Sequence, residues 1–151
     1  MKRICLFCLL IITISFLLVG CSSVLENNKI DSEEMLENVT MVIKDGTLTK
    51  TGATIIINDL NGDDNTYGES YRIDKKVNGK WQKLDVVIEG EYGFHAIGYT
   101  VNENNTLEMN IDWNWLYGEL PSGEYRLVKD AAVTKNNTYI GSKYVYVEFV
   151  I

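Results

Sequence analysis

The chain is 151 residues long, one domain's worth of polypeptide, and carries 21 acidic side chains against 14 basic ones for a formal net charge of −7. That balance leaves no basic footprint, which argues against nucleic acid and against adhesion to anionic lipid headgroups. Three cysteines and a single histidine leave little material for a metal centre or a nucleophile–base pair.

The chain opens on Lys2 and Arg3, followed by the apolar run ICLFCLLIITISFLLVG and then Cys21. A charged start, an apolar stretch and a small residue before a cleavage point read as a secretory signal over residues 1–20. An uncleaved anchor is the alternative, since the run barely reaches the roughly 17–25 residues that spanning takes. LVGC at 18–21 favours the signal. It resembles the bacterial lipobox, in which the cysteine thiol is acylated, the chain is cut before it, and the cysteine becomes the new N-terminus. Cys21 is therefore the expected lipid attachment site. Two or more acyl chains, at roughly 0.8 kcal/mol per buried methylene, anchor a protein stably. Cleavage takes Cys5 and Cys8 away, leaving no disulfide within one mature chain and no cysteine metal site. Losing Lys2 and Arg3 as well moves the formal charge from −7 to −9. The expected location is the outer face of the cytoplasmic membrane.

Residues 21–39 are polar and acidic without a sustained period and read as a linker, with one helical turn where Asp31 and Glu34 can form a capping box. From residue 40 to 151 period-two alternation replaces any helical signal. ATIIINDL (53–60) is β-branched and nearly continuous, as a strand packed at a sandwich centre is. In YRIDKKVNGKWQKLDVV (71–87), Asn78-Gly79 is the dipeptide preferred in two-residue hairpin loops, where both residues need positive φ. That loop predicts a register with Lys76 facing Trp81, Asp74 facing Lys83, Ile73 facing Leu84, Arg72 facing Asp85 and Tyr71 facing Val86. Apolar residues then share one face, and the pairs Arg72–Asp85 and Asp74–Lys83 share the other, at roughly 0.2–1 kcal/mol a pair. FHAIGYTV (94–101), TLEMNIDWNW (106–115), EYRLVKDAAV (124–133) and SKYVYVEFVI (142–151) also read as strands. Seven or eight short strands separated by turn residues predict an all-β, immunoglobulin-like antiparallel β-sandwich.

Within 106–115 every apolar residue is odd-numbered, so Trp113 and Trp115 share the face of Leu107 and Ile111 and are expected in the core, Trp115 less completely covered. LPSGEYRL (120–127) sets a Pro/Gly turn before Gly-x-Tyr and resembles a tyrosine corner, in which the Tyr125 hydroxyl bonds back to backbone a few residues upstream. VTMVIKDGTLTKTGATIIIND, YGESYRIDKKVNGKW, WNWLYGELPSGEYRLVK and YVYVEFVI, in that order, resemble the bacterial immunoglobulin-like domain found in lipoproteins of low-GC Gram-positive bacteria, over residues 39–151. The resemblance implies a fold and an extracytoplasmic setting. It supplies no reaction and no catalytic residue. Similar domains also occur beside penicillin-sensing zinc-peptidase receptors, but this chain has no peptidase segment.

His95 shares the parity of Ile97, Tyr99 and Val101 and is expected to be packed or at a strand end, and no second histidine stands ready to partner it. DLNGDDNTYGES (59–70) places Asp59, Asn61 and Asp63 at alternate positions like a calcium loop. Its glycine is misplaced and Ser70 stands where a bidentate Glu is needed, so an ordinary polar loop is expected, with weak, opportunistic calcium binding as the alternative, and no resident metal or other cofactor is implied. The hairpin register turns Trp81 outward with Arg72, Lys76 and Lys83, and parity turns Arg126, Tyr144 and Tyr146 the same way. Trp81, Tyr144, Tyr146, Arg72 and Arg126 thus form the candidate binding face, since amphipathic aromatics and arginine are typical interface anchors. The expected function is a membrane-anchored, non-catalytic binding module with an envelope protein or a cell-wall ligand as partner. An accessory role in β-lactam or envelope-stress signalling is the alternative, and a cell-wall enzyme a weaker one.

Overall fold

The computed structural model describes residues 34–151, so the leader, Cys21 and the capping-box position Asp31 lie outside the described residues. Eight strands run in chain order: β1 Val39–Ile43, β2 Gly52–Asp59, β3 Asn65–Tyr67, β4 Arg72–Val77, β5 Lys80–Lys83, β6 Thr106–Asp112, β7 Glu124–Lys135 and β8 Thr138–Val150. One α-helical turn among the described residues, α1, spans Asn114–Tyr117, and a 3-10 turn spans Gly62–Asp64. Among the described residues no helix is long and apolar enough to cross a membrane.

Two antiparallel sheets form a β-sandwich. One has the order β1-β2-β6; in the other, β7 pairs β8 along one edge and β4 and then β3 along the opposite edge, with β5 outside β4. Alternation decides what lies between the sheets. Ala53, Ile55 and Ile57 from β2, Ile73 from β4, Tyr125, Leu127 and Ala131 from β7, and Val145 and Phe149 from β8 are buried in one cluster. Trp113 is stacked on Phe149 at 5.4 Å between ring centres and donates its Nε1–H to the Lys50 carbonyl at 2.8 Å. Phe149 stacks in turn on Tyr125 at 5.7 Å, and the Tyr125 hydroxyl donates to the Pro121 carbonyl at 2.7 Å, closing the corner that the Pro/Gly turn predicts.

The β4–β5 hairpin takes the expected register, with Asp74 opposite Lys83 and Lys76 opposite Trp81. Asn78 and Gly79 have φ of 52° and 76°, the left-handed values that make Asn-Gly suit a two-residue turn. Beyond Lys83 the pairing fades: the Leu84 N–H still reaches the Ile73 carbonyl, but Asp85 and Val86 do not extend the ladder. Met35 and Leu36, assigned to the linker from sequence, already join the fold, because the Leu36 N–H donates to the Tyr144 carbonyl and its side chain is buried.

Two expected strands are corrected. Residues 94–101 are irregular apart from Tyr99, which makes an isolated bridge with Tyr67. Instead of entering a sheet, residues 84–98 lay Leu84, Val86, Ile88 and Phe94 partly buried against the core. The strand expected over 106–115 ends at Asp112, where Asn114 N–H turns back to the Asp112 carboxylate and α1 begins. Parity loses its meaning there, so Trp113 is in the core and Trp115 is 39% exposed.

Candidate functional site

The five residues of the predicted face do converge, but around a buried ion pair. Register sets Asp74 on β4 between Lys83 of β5 and Arg126 of β7. Asp74 chooses arginine: Arg126 Nε donates to it at 2.6 Å and Arg72 Nε at 3.2 Å, and the carboxylate has no exposed surface. The expected Asp74–Lys83 and Arg72–Asp85 pairs therefore give way to a three-residue arginine–aspartate cluster. A planar, weakly hydrated guanidinium tolerates this better than an ammonium group does.

Rings cover that cluster. The Arg126 guanidinium lies 5.0 Å from the Trp81 ring centre and 5.4 Å from that of Tyr146, while Lys76 Nζ sits 5.4 Å from Trp81. Arg72 lies 5.5 Å from Tyr144. Arg126, expected on the surface, is only 4% exposed, because its outward direction carries it beneath two rings rather than into water. What faces solvent is the half-buried surface of Trp81, Tyr144, Tyr146, Arg72 and Lys76. Each ring has a cation within 5.5 Å of its centre, which favours this arrangement of the face.

A second surface was not legible in the sequence. Trp115 meets Phe94 edge-on at 5.5 Å and Tyr92 at 6.3 Å, and Phe94 meets Tyr71 edge-on at 5.3 Å. With Met109 and Ile111, the rings of Tyr71, Phe94 and Trp115 line a cleft of about 560 Å³ beside β6. Its rim is polar, with three carboxylates, Glu69, Glu108 and Asp112, beside Asn110, His95 and Tyr99. His95 is not packed. Its side chain is 83% exposed, with Nδ1 2.9 Å from Glu69, and the Tyr99 hydroxyl donates to the same carboxylate at 3.2 Å. The hydrogen bond with His95 and that from Tyr99 hold the Glu69 carboxyl below its ordinary range, so it stays charged. The only hints in the sequence were Tyr92 and Phe94 two apart beside glycine.

Two further polar groups have structural explanations. The candidate calcium ligand Asp59 is buried with both oxygens occupied: Oδ1 accepts from Asn61 backbone and side chain, and Oδ2 from Asn65 at 2.8 Å and Tyr67 at 2.6 Å. Burial, then the Asp59 carboxylate, pushes the Tyr67 phenol far above its ordinary range. Lys129 faces the break between β3 and β4, where its Nζ donates to the carbonyls of Gly68 and Ser70. Desolvation lowers its pKa to about 8. Among the described residues no cluster of three His, Cys, Asp or Glu side chains is arranged to hold a metal ion.

A family model described as a bacterial Ig-like domain matches residues 35–144, a span that includes the cleft and all of the aromatic face except Tyr146. No curated protein and no solved structure matches the chain.

Proposed function

The chain belongs to the bacterial Ig-like domain family, and from that premise we propose that it is a lipid-anchored, non-catalytic binding module on the outer face of the cytoplasmic membrane. Ig-like domains of this kind are interaction modules. In this reading Cys21 carries the acyl chains, residues 22–33 hold the domain off the headgroups, and the partner is an envelope protein or a cell-wall ligand. The observation that carries the reading is the Lys76–Trp81–Arg126–Tyr146 stack, which sets two large amphipathic rings half-exposed against cations. Trp, Tyr and Arg dominate interface energetics.

Fractionation tests the anchor: the wild-type chain sediments with membranes and is cleaved by protease added outside the cell, and Cys21→Ala moves it to the soluble fraction. A Cys21→Ala chain that still sediments with membranes contradicts lipidation. The face is tested with Tyr144→Ser, which leaves the Asp74–Arg126 pair intact, alongside Trp81→Ser. Partner crosslinking reduced at least tenfold by Tyr144→Ser at an unchanged melting temperature supports a binding face. A lowered melting temperature with undiminished crosslinking makes the rings a cover for the ion pair and nothing more.

A further inference from the structure

The cleft beside β6 has one wall made of backbone. β6 ends the three-stranded sheet, with β2 on one side. The ladder's outer bonds run from the Asp59 N–H to the Asn105 carbonyl and from the Trp113 N–H to the Thr51 carbonyl. Antiparallel pairing alternates, so the odd-numbered residues of β6 bond to β2, and the N–H and C=O groups of the even-numbered ones point to the opposite edge. Two contacts agree with that direction. Thr106 is satisfied there by Asn102, and the Asp112 carbonyl accepts from the Tyr71 hydroxyl inside the cleft at 2.7 Å. Between them, Glu108 and Asn110 turn two donors and two acceptors into the cleft, and among the described residues no strand pairs with them.

We propose that this edge binds an extended segment of a partner protein by strand addition, and that the segment alternates apolar and basic residues. A ladder of backbone groups repeating every second residue is matched by an extended chain, whose main chain supplies affinity while alternate side chains supply specificity. Residues of the added strand that point inward lie beside Met109 and Ile111 and against the rings of Phe94, Trp115 and Tyr71, which calls for apolar side chains. Residues that point outward lie beside Glu108, Asn110 and Asp112, with charged Glu69 across the cleft, which calls for lysine or arginine. The partners these carboxylates already have, Lys44 on Glu108 at 2.8 Å and the His95 ring on Glu69, are both exposed and displaceable. Segment 22–33 of the chain itself, with three carboxylates against one lysine, is mismatched to this rim. The inference goes beyond the proposed anchor and does not depend on the Trp81 face.

The test uses the full chain and a fluorescein-labelled heptapeptide, Lys-Val-Lys-Phe-Lys-Val-Lys, with Glu replacing every Lys in one control and the same residues in block order in another. Anisotropy is expected to show saturable binding at least tenfold tighter than for either control. Amide exchange at Glu108 and Asn110 should slow at least tenfold with the alternating peptide bound. Asn110→Pro deletes one outward donor while keeping every bond to β2, and should weaken binding at least tenfold; Trp81→Ser should not. If Asn110→Pro does not fold, the exchange measurement in the wild-type chain decides. Equal binding of the block-order peptide, unchanged exchange at Glu108 and Asn110, or slowed exchange there with soluble peptidoglycan glycans but not with the peptide would each overturn the proposal.

Discussion

Asp74 accepts from Arg126 and Arg72 with none of its surface open to water, in a pocket roofed by Trp81 and Tyr146. Replacing one partner of a buried pair leaves the other's desolvation uncompensated, so Asp74→Ala is expected to cost about 3–5 kcal/mol in chemical denaturation. A loss under about 1 kcal/mol would mean that water reaches Arg126. Sequence reasoning paired Asp74 with Lys83 because the hairpin makes them neighbours. Arg126, 52 residues away in sequence, is expected on the same face as Arg72 and Trp81, but no local pattern shows that its strand sets it directly on Asp74. Lys129 makes a different prediction. Its native pKa of about 8 lies below the ordinary 10.5, so between those values the unfolded chain holds a proton that the native chain has released. Stability therefore rises with pH from about 8, by on the order of 1 kcal/mol per pH unit at most. Tyr67 and Tyr71 act oppositely, because burial raises both above the ordinary 10.0 and the unfolded chain loses those protons first. Urea midpoints should climb from pH 8 toward 10 and fall above it, and Lys129→Met should flatten the climb. A wild-type profile flat over that range would contradict a buried, partly neutral Lys129.

Among the elements, the corner and the last strand are tied together. Gly123 and Ile151 exchange two backbone hydrogen bonds at 3.1 Å, and Phe149 sits between the rings of Trp113 and Tyr125. Tyr125→Phe keeps the stack and removes only the bond to the exposed Pro121, for a cost of about 1 kcal/mol in denaturant unfolding. Deleting residues 148–151 removes Phe149 and the end of the β7–β8 ladder. Large aromatic truncations cost about 3–5 kcal/mol against a total stability of about 5–15 kcal/mol, so calorimetry should show a broad transition or none. A sharp transition within a few degrees of wild type would place the stability elsewhere. Elements governed by local chemistry were legible in the sequence: Asn78-Gly79 sets the hairpin register, and Leu120 to Tyr125 sets the corner. Where the chain leaves a sheet the alternation gives no warning, which is why Trp115 and residues 94–101 were placed in strands. The aromatic cleft is assembled from three such departures, near Tyr71, Phe94 and Trp115, and no single window of sequence contains it.

For the whole molecule, two surfaces stand out among the described residues of an acidic sandwich: the rings of β5 and β8 with their cations, and the open edge of β6. Both suit recognition, and they differ in chemistry, one an aromatic surface backed by cations and the other a backbone ladder with a carboxylate rim. The central claim is that the domain binds a partner in the envelope through a defined surface. Photocrosslinking in cells that express the full chain tests it most directly, with a benzophenone side chain placed at Tyr144, at Asn110, or at Asn137, which is exposed at the turn between β7 and β8, seven residues from Tyr144. The account predicts a discrete adduct in the membrane fraction from Tyr144 or Asn110 and none from Asn137. Adducts of equal yield from all three positions, or from Asn137 alone, would contradict it.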